Sequence, residues 1–402
     1  MRRKLLPDFF FLVWPVFISI TGLTQTVQPG QVFPKEYSVR QTQEYLHKIN
    51  LDNWDSARYA HFSFTHMCQF FSCKTLHVAE KPFKLEDSKE FDKFWSTHRF
   101  TYRGDSLLID EIIKVDNVSA YIIIHNGKIV YEKYPYMKEN TVHSWMSVSK
   151  PMAGAIISIL EEKKLLDLSQ PIDNYLPELK NTAWQGTSVQ DILYMQSGIA
   201  EDTTLNNGAT WKEMERSLGW ASRRAETPTI LQYIKQMKRT EPPGNHVFYQ
   251  DANLILLSLV AERVTGKKYP ELIEELVWKP MGAHHHGYIN VFTDTALAGT
   301  GIKSTLRDLA LFGTLFTYQR AGEVISKNTI DKIVNSNKGM PFMWDFIMGG
   351  GMLKGGFGKQ VLYVNPELNL VVAQFNHPQT FFTDEFTSSF YLQMIKQGWF
   401  KK

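Results

Sequence analysis

Strand-forming segments stand at two places far apart in this chain, and the residues between them are mainly helical in pattern. Residues 120–134 read AYIIIHNGKIVYEKY, in which Asn126-Gly127 separates two β-branched runs, the strongest short-range signal for a β-hairpin. A second strand pair, QVLYVN and LNLVVAQFN, is separated by a turn at Pro366, and a helical pattern, DEFTSSFYLQMIKQGWF, closes the chain. This order predicts an α/β protein with a sheet built from both chain ends, flanked by helices, and a helical subdomain inserted at about residues 166–300.

Composition excludes several classes of protein. The 402 residues are 43% hydrophobic and 21% charged, so a large core can be buried and a disordered chain is not expected. Lys+Arg is 44 against 41 for Asp+Glu, a balance that argues against nucleic acid as a partner. Two cysteines exclude a disulfide scaffold or a multi-cysteine zinc module. Cys68 and Cys73 lie close in sequence, and either a local disulfide or two buried thiols fits them.

The first 24 residues form a segment of their own. A basic start, Arg2 to Lys4, precedes an apolar run that begins at Phe9 and ends at Ile20, and small or polar residues follow. This pattern is typical of a secretory signal peptide, because the run is short for a bilayer span of about 20 residues. We therefore expect an exported protein, periplasmic or secreted if bacterial. Membrane anchoring is expected only if this segment stays uncleaved. Residues 25–114 are expected to form an N-terminal extension.

One serine and one lysine carry the first chemical signal. Ser147 and Lys150 form an S-x-x-K motif at the start of a helical pattern that runs to residue 166. Residues three apart share a helix face, so the lysine amine can reach the serine hydroxyl. The helix N-terminus also offers N–H groups to a developing anion. Taken alone, however, the motif is explained better by a serine that caps the helix and a solvated lysine than by a catalytic pair.

The surrounding sequence changes that interpretation. Three segments follow one another: HSWMSVSKPMAGAIISILEEKKLLDLSQPIDNYLPEL, EPPGNHVFYQDANLILLSLVAERVTG and GGGMLKGGFGKQVLYVNPELNLVVAQFN. In content and order they resemble the three motifs of the serine β-lactamase and penicillin-binding-protein-like hydrolases. The resemblance covers about residues 115–400. LDNWDSARYAHFSF resembles the extension of one branch, the aminohexanoate-dimer hydrolase and esterase-like proteins. The resemblance implies a β-lactamase-like fold over residues 115–402: an antiparallel sheet flanked by helices, with an all-helical insert.

The same resemblance implies roles for the first two motifs. Ser147 matches the acylated nucleophile and Lys150 its proton acceptor. Tyr249 matches the tyrosine that moves a proton between the serine and the leaving group. A tyrosine before an apolar helix is, without the family pattern, more often a packed ring with a hydrogen-bonded hydroxyl.

The third motif is implied to hold the substrate. Lys354, Gly355 and Gly356 match it, and the lysine would lower the pKa of Lys150 or Tyr249, or bind a substrate carboxylate. The two glycines would let the substrate lie close to the strand. The backbone N–H groups of Ser147 and Phe357 would form the oxyanion hole.

Two residues depart from the family pattern. Asp251 stands where the second motif has Asn or Ser, and its carboxylate would either hold Lys150 protonated or orient it. Gly355 stands where β-lactamases have a threonine, so a hydroxyl for the substrate carboxylate is missing. Both departures make efficient β-lactam hydrolysis less expected, and no convincing deacylating glutamate of the class A type is found.

The sequence therefore predicts an exported serine hydrolase that cleaves an ester or amide in a small-molecule or peptide substrate, with no metal or organic cofactor. The alternative enzyme is a D-amino-acid peptidase or carboxypeptidase acting on cell-wall peptides, for which Lys354 is the candidate carboxylate site. The third hypothesis is a non-catalytic binding descendant of the fold, which Asp251 keeps open.

Overall fold

The computed structural model describes residues 34–199, 209–292, 295–376 and 389–400. The predicted N-terminal segment, residues 1–24, lies outside these ranges. In the described residues the strands are β1 Cys73–Leu76, β2 Glu86–Asp87, β3 Phe100–Tyr102, β4 Asp105–Leu107, β5 Val118–His125, β6 Lys128–Lys133, β7 His143–Ser144, β8 Gly287–Phe292, β9 Thr295–Ala296, β10 Ile302–Ser304, β11 Phe346–Met348, β12 Gly351–Gly356, β13 Gln360–Asn365 and β14 Leu370–Asn376. The helices are α1 Val39–Lys48, α2 Ala60–His66, α3 Asp92–Thr97, α4 Ile109–Val115, α5 Lys150–Glu162, α6 Ile172–Tyr175, α7 Val189–Leu193, α8 Ala209–Leu218, α9 Ile230–Gln236, α10 Ala252–Thr265, α11 Tyr269–Ile273, α12 Leu306–Thr314, α13 Lys327–Val334 and α14 Ser389–Lys396.

Strands from both ends of the chain form a seven-stranded sheet in the order β11-β12-β13-β14-β5-β6-β2. Its pairings are antiparallel except for the short parallel contact of β2 with β6. The β5–β6 hairpin turns at Asn126 and Gly127, which both have positive φ, as a tight two-residue hairpin requires. β14 pairs with β5 and so joins the late strands to the early ones. The predicted α/β fold with a sheet from both chain ends is confirmed.

The central strands are buried on both faces of this sheet. Along β5, Ile122 and Ile124 point into the larger hydrophobic core, while Tyr121 and Ile123 point into a second, smaller core on the opposite face. This alternation follows from the two-residue period of a strand, and burial of both faces explains why the strand is apolar throughout. The larger core packs against α5 and α12, and the smaller one against α3, α4 and α14.

A second sheet carries the segment that leads to the predicted nucleophile. Its order is β1-β8-β10-β7, with β9 paired to β8. β7 ends at Ser144, three residues before Ser147, and pairs with β10 through Lys303. Among the described residues of both sheets, β1 and β2 come from the predicted extension, 25–114, so this region adds an edge strand to each sheet.

Six helices lie in the described part of the predicted insert, and loops connect them. α6 to α11 run between residues 172 and 273, and the range predicted as helical also contains β8 and β9 at its end. α10 ends at Gly266, whose φ of +71° is the left-handed conformation expected of a helix C-terminus.

Cys68 and Cys73 form a disulfide with a Cα–Cα distance of 5.6 Å, so the disulfide alternative applies to them. In the part of the chain that the structure describes, no helix has both the length and the apolar character needed to cross a membrane.

Candidate active site

Ser147 lies on a short 3-10 helix, Met146–Ser149, between β7 and α5. The preceding residue, Met146, has a φ of +51°, a left-handed conformation that is costly for a residue with a side chain. Ser149 accepts a hydrogen bond from the backbone N–H of Ile302 at 3.2 Å and so faces the second sheet. Ser147 instead faces Lys150. The local backbone therefore separates the two serines, and only Ser147 is directed at the lysine.

Lys150 is the first residue of α5 and is fully buried. Three oxygens surround its Nζ: Ser147 Oγ and the Gly299 carbonyl, both at 3.1 Å, and Asp251 Oδ1 at 2.6 Å. Burial by itself would lower the pKa of Lys150, but the Asp251 carboxylate and then Tyr249 outweigh it, and the pKa of the amine is raised above its ordinary value. Because an ammonium has three donors, this set of oxygens suits the charged form.

A second buried lysine shows what Asp251 contributes. Lys303 is also fully buried, and its Nζ donates to two neutral oxygens, Asn290 Oδ1 and the Gly301 carbonyl, both at 2.6 Å. Burial lowers the pKa of Lys303 well below its ordinary value. The two lysines share burial and neutral acceptors, and they differ in the Asp251 carboxylate and in the Tyr249 beside Lys150. Asp251 makes the larger of these two contributions to the raised pKa of Lys150.

Tyr249 is the accessible member of the site, with 39% of its surface exposed. The Nζ atoms of Lys150 and Lys354 lie 4.9 and 4.8 Å from its ring centroid. Its hydroxyl accepts a hydrogen bond from Lys354 Nζ at 3.3 Å. The next residue, Gln250, is buried and donates to the Ile199 carbonyl at 2.5 Å, which fixes the loop before α10. The tyrosine thus stands between two cations at the mouth of the site.

Lys354 lies on β12 and is fully buried. Its Nζ forms an ion pair with Asp345, a residue that the sequence reasoning missed. The other carboxylate oxygen of Asp345 accepts the backbone N–H of Gly355 at 2.8 Å. Asp345 is a lone charge in the apolar segment MPFMWDFIM just before the third motif, and that isolation was the available signal. The Gly299 carbonyl was also missed, and a backbone acceptor leaves no mark in a sequence.

Gly356 ends β12 beside the nucleophile, and Phe357 follows it. A Cβ on Gly356 would lie 2.9 Å from the Trp145 carbonyl and 3.2 Å from the Ser147 nitrogen, closer than side-chain carbons normally approach. A glycine is therefore required for this approach. The Phe357 ring lies 6.0 Å from that of Phe64 on α2, so the N-terminal extension forms part of the wall next to the site.

The structure brings the predicted residues of all three motifs into one place. Lys150 contacts both Ser147 and Asp251, Tyr249 lies between Lys150 and Lys354, and Gly356 lies against the backbone of the nucleophile. The catalytic roles given to these residues stay predictions. Among the described residues, no group of three or more His, Cys, Asp or Glu side chains is arranged to hold a metal ion.

The fold and this serine–lysine–tyrosine arrangement define a protein of the serine β-lactamase and penicillin-binding-protein-like superfamily. The chain belongs to the Beta-lactamase family, whose model matches residues 115–381. It is similar to the 6-aminohexanoate-dimer hydrolase of Paenarthrobacter ureafaciens, with 27% identity over 54% of this chain and 56% of that protein. It is also similar to the teichoic acid D-alanine hydrolase of Staphylococcus aureus, with 25% identity over 45% of this chain and 43% of that protein.

A solved structure, the "Putative 6-aminohexanoate-dimer hydrolase from Bacillus anthracis", covers 87% of this chain and 97% of its own, with a TM-score of 0.77 and 23% identity. That likeness shows the fold. The chain spans about half the length of the two curated relatives that it matches. The superfamily and the β-lactamase-like fold predicted from the sequence are confirmed.

Proposed function

We propose that this protein cleaves an ester or amide through an acyl-enzyme formed on Ser147. The observation that carries the proposal is the 3.1 Å contact between Lys150 Nζ and Ser147 Oγ, made by a lysine that is fully buried. An unassisted serine hydroxyl is a weak nucleophile and needs a base within hydrogen-bond reach. The two curated relatives described above are named as hydrolases, which supports hydrolysis as the reaction type.

In the proposed reaction, Ser147 Oγ attacks the substrate carbonyl carbon and its proton passes to the neutral amine of Lys150. The carbonyl oxygen becomes an oxyanion, held by the backbone N–H groups of Ser147 and Phe357. The bond to the leaving group then breaks, and the departing oxygen or nitrogen takes a proton through Tyr249. Water attacks the acyl ester and gives a proton to the same relay. The bond between the acyl carbon and Ser147 Oγ then breaks, the relay returns the proton to that oxygen, and the acid product leaves.

The amine form of Lys150 is the scarce reactant in this scheme. Asp251 favours the ammonium, so at neutral pH a small fraction of the protein holds the neutral base. Acylation is therefore expected to speed up as pH rises. Lys354 Nζ donates a hydrogen bond to the Tyr249 hydroxyl at 3.3 Å and so holds in place the tyrosine that passes the proton.

Export is part of the proposal. The N-terminal segment has the pattern of a signal peptide, and the Cys68–Cys73 disulfide supports an oxidising compartment, where such bonds persist.

Covalent labelling tests the proposal. A fluorophosphonate probe is expected to label the protein, and Ser147→Ala should abolish labelling. Ser149→Ala is the matched control, because its hydroxyl lies two residues away and bonds to Ile302 instead of Lys150. Label on a serine in the Ser147→Ala variant would show that the nucleophile is wrong. Labelling by penicillin alone would favour the D-amino-acid peptidase. Labelling by neither probe would favour the non-catalytic binding descendant of the fold.

A further inference from the structure

The ion pair of Lys354 with Asp345 changes what the third motif can do. Lys354 is fully buried and the side chain of Asp345 is 17% exposed, so solvent reaches the aspartate of this pair and not the lysine. Two backbone hydrogen bonds hold Asp345 in place. Its N–H donates to the Leu353 carbonyl at 2.9 Å, and its carboxylate accepts the Gly355 N–H. The carboxylate therefore binds the Lys354 ammonium through one oxygen and the Gly355 N–H through the other.

Charges in the site are balanced in pairs. Lys150 is matched by Asp251, and Lys354 by Asp345. A substrate carboxylate that approached Lys354 would meet a cation whose charge is already neutralised, and it would lie close to the Asp345 carboxylate. Like charges placed side by side are a common means of rejecting a wrong ligand.

Lys354 keeps a role that needs no substrate carboxylate. Its Nζ donates to the Tyr249 hydroxyl at 3.3 Å while it also binds Asp345. The carboxylate therefore aims the lysine at the tyrosine, and the lysine is not available as a separate anion site. Gly355 strengthens this view, because it brings no hydroxyl to the strand that would help to bind a carboxylate.

We infer that Asp345 is a specificity-determining residue, which makes this site select esters or amides with no carboxylate on the part that lies against β12. The inference rests on the proposed function, since it concerns the substrate of the Ser147 acyl-enzyme. It also disfavours a carboxypeptidase, whose substrate ends in a carboxylate next to the scissile bond.

Two esters with the same acyl group test this inference: phenyl butyrate, which is uncharged, and 3-carboxyphenyl butyrate. The wild-type protein is expected to prefer the uncharged ester by about tenfold or more in kcat/KM. Asp345→Asn keeps the size of the side chain and an oxygen for the Gly355 N–H, but it frees the charge of Lys354. The ratio of kcat/KM for the two esters should then shift toward the carboxylate ester by about tenfold, mainly through a lower KM for that ester.

Asp331→Asn is the matched control, because it removes the carboxylate of another lysine ion pair, with Lys327 on α13. The ratio of kcat/KM for the two esters in this variant should equal that of the wild type. Adding Lys354→Met to Asp345→Asn should abolish the gain. A wild-type preference for the carboxylate ester, or an Asp345→Asn variant that loses both esters equally, would overturn the inference.

Two further measurements keep the outcomes separate. Ester turnover that persists in Ser147→Ala would contradict the proposed function, whereas Ser147-dependent turnover with the wrong preference contradicts only the role of Asp345. If Asp345→Asn does not fold, inhibition of the wild-type protein by phenylboronic acid and 3-carboxyphenylboronic acid decides. Weaker inhibition by the carboxylate compound supports the inference, and stronger or equal inhibition overturns it.

Discussion

Replacing Asp251 by asparagine should convert Lys150 from a lysine with a raised pKa into one with a lowered pKa. Asparagine keeps the shape of the side chain and removes the charge that lies 2.6 Å from Nζ. Two unit charges at that distance interact by about 6 kcal/mol at an effective dielectric constant of about 20, or roughly four to five pKa units. The carboxylate charge is spread over two oxygens and the amide dipole remains, so we expect a smaller fall of roughly three to four units, which is enough to bring the pKa below its ordinary value.

The second-order rate of fluorophosphonate labelling, measured from pH 5 to pH 10, reports this change without a known substrate. Its acidic limb follows the base of the free protein. In Asp251→Asn the limb should move to lower pH by the same amount, roughly three to four units. Asp331→Asn, which removes an exposed carboxylate also 2.6 Å from a lysine Nζ, should leave the limb in place.

Stability gives an independent check with a definite sign. With Asp251 present, the raised pKa of Lys150 stabilises the folded protein fully below the unfolded pKa of about 10.4, and this is lost as pH rises through the folded value. In Asp251→Asn the folded pKa lies below the unfolded one, so the free energy of unfolding should increase with pH up to about 10.4. Near neutral pH the variant should be about 3–5 kcal/mol less stable if Lys150 stays charged, and less affected if it deprotonates. A limb that stays in place while labelling slows would mean that Asp251 orients groups, and a limb that moves upward would refute the reasoning.

Two other perturbations follow from particular contacts. Gly356→Ala would place a carbon 2.9 Å from the Trp145 carbonyl and 3.2 Å from the Ser147 nitrogen. Fluorophosphonate labelling should therefore slow by about 100-fold, while thermal unfolding still shows one folded protein. Labelling at the wild-type rate would show that the close approach is not needed. His143 is buried, and burial lowers its pKa to about 4. Its folded pKa lies below the unfolded value of about 6.5, so it costs stability as pH falls, by about 2 kcal/mol between pH 7 and pH 5. The His143→Asn variant can still donate to the Ser144 carbonyl. Between pH 7 and pH 5 its free energy of unfolding in urea should fall by about 2 kcal/mol less than that of the wild type. An unchanged pH dependence would contradict the low pKa of His143.

Local signals in the sequence were enough for the β5–β6 hairpin, for helices α5 and α10 and for the order of the motifs, but they missed β8 and β9 inside the range predicted as helical. The Asn126-Gly127 turn, the apolar helix that ends at Gly266, and the serine–lysine spacing each depend on residues a few positions apart. Hydrogen bonds, backbone conformation and side-chain period act over that range, so a sequence records them directly. The resemblance to the β-lactamase-like hydrolases added the fold and the candidate residues, and the family match agrees with it.

The partners of those residues were decided by tertiary structure alone. Asp345 reaches Lys354 because β11 folds back on β12, and the Gly299 carbonyl reaches Lys150 across 149 positions of sequence. The sequence left open whether Asp251 holds Lys150 protonated or orients it. The 2.6 Å separation of the two buried side chains favours the protonated amine. Lys150 and Lys303 have the same chemistry in the sequence and opposite pKa shifts in the fold. Charge state depends on which groups surround a buried atom, and long-range packing chooses those groups.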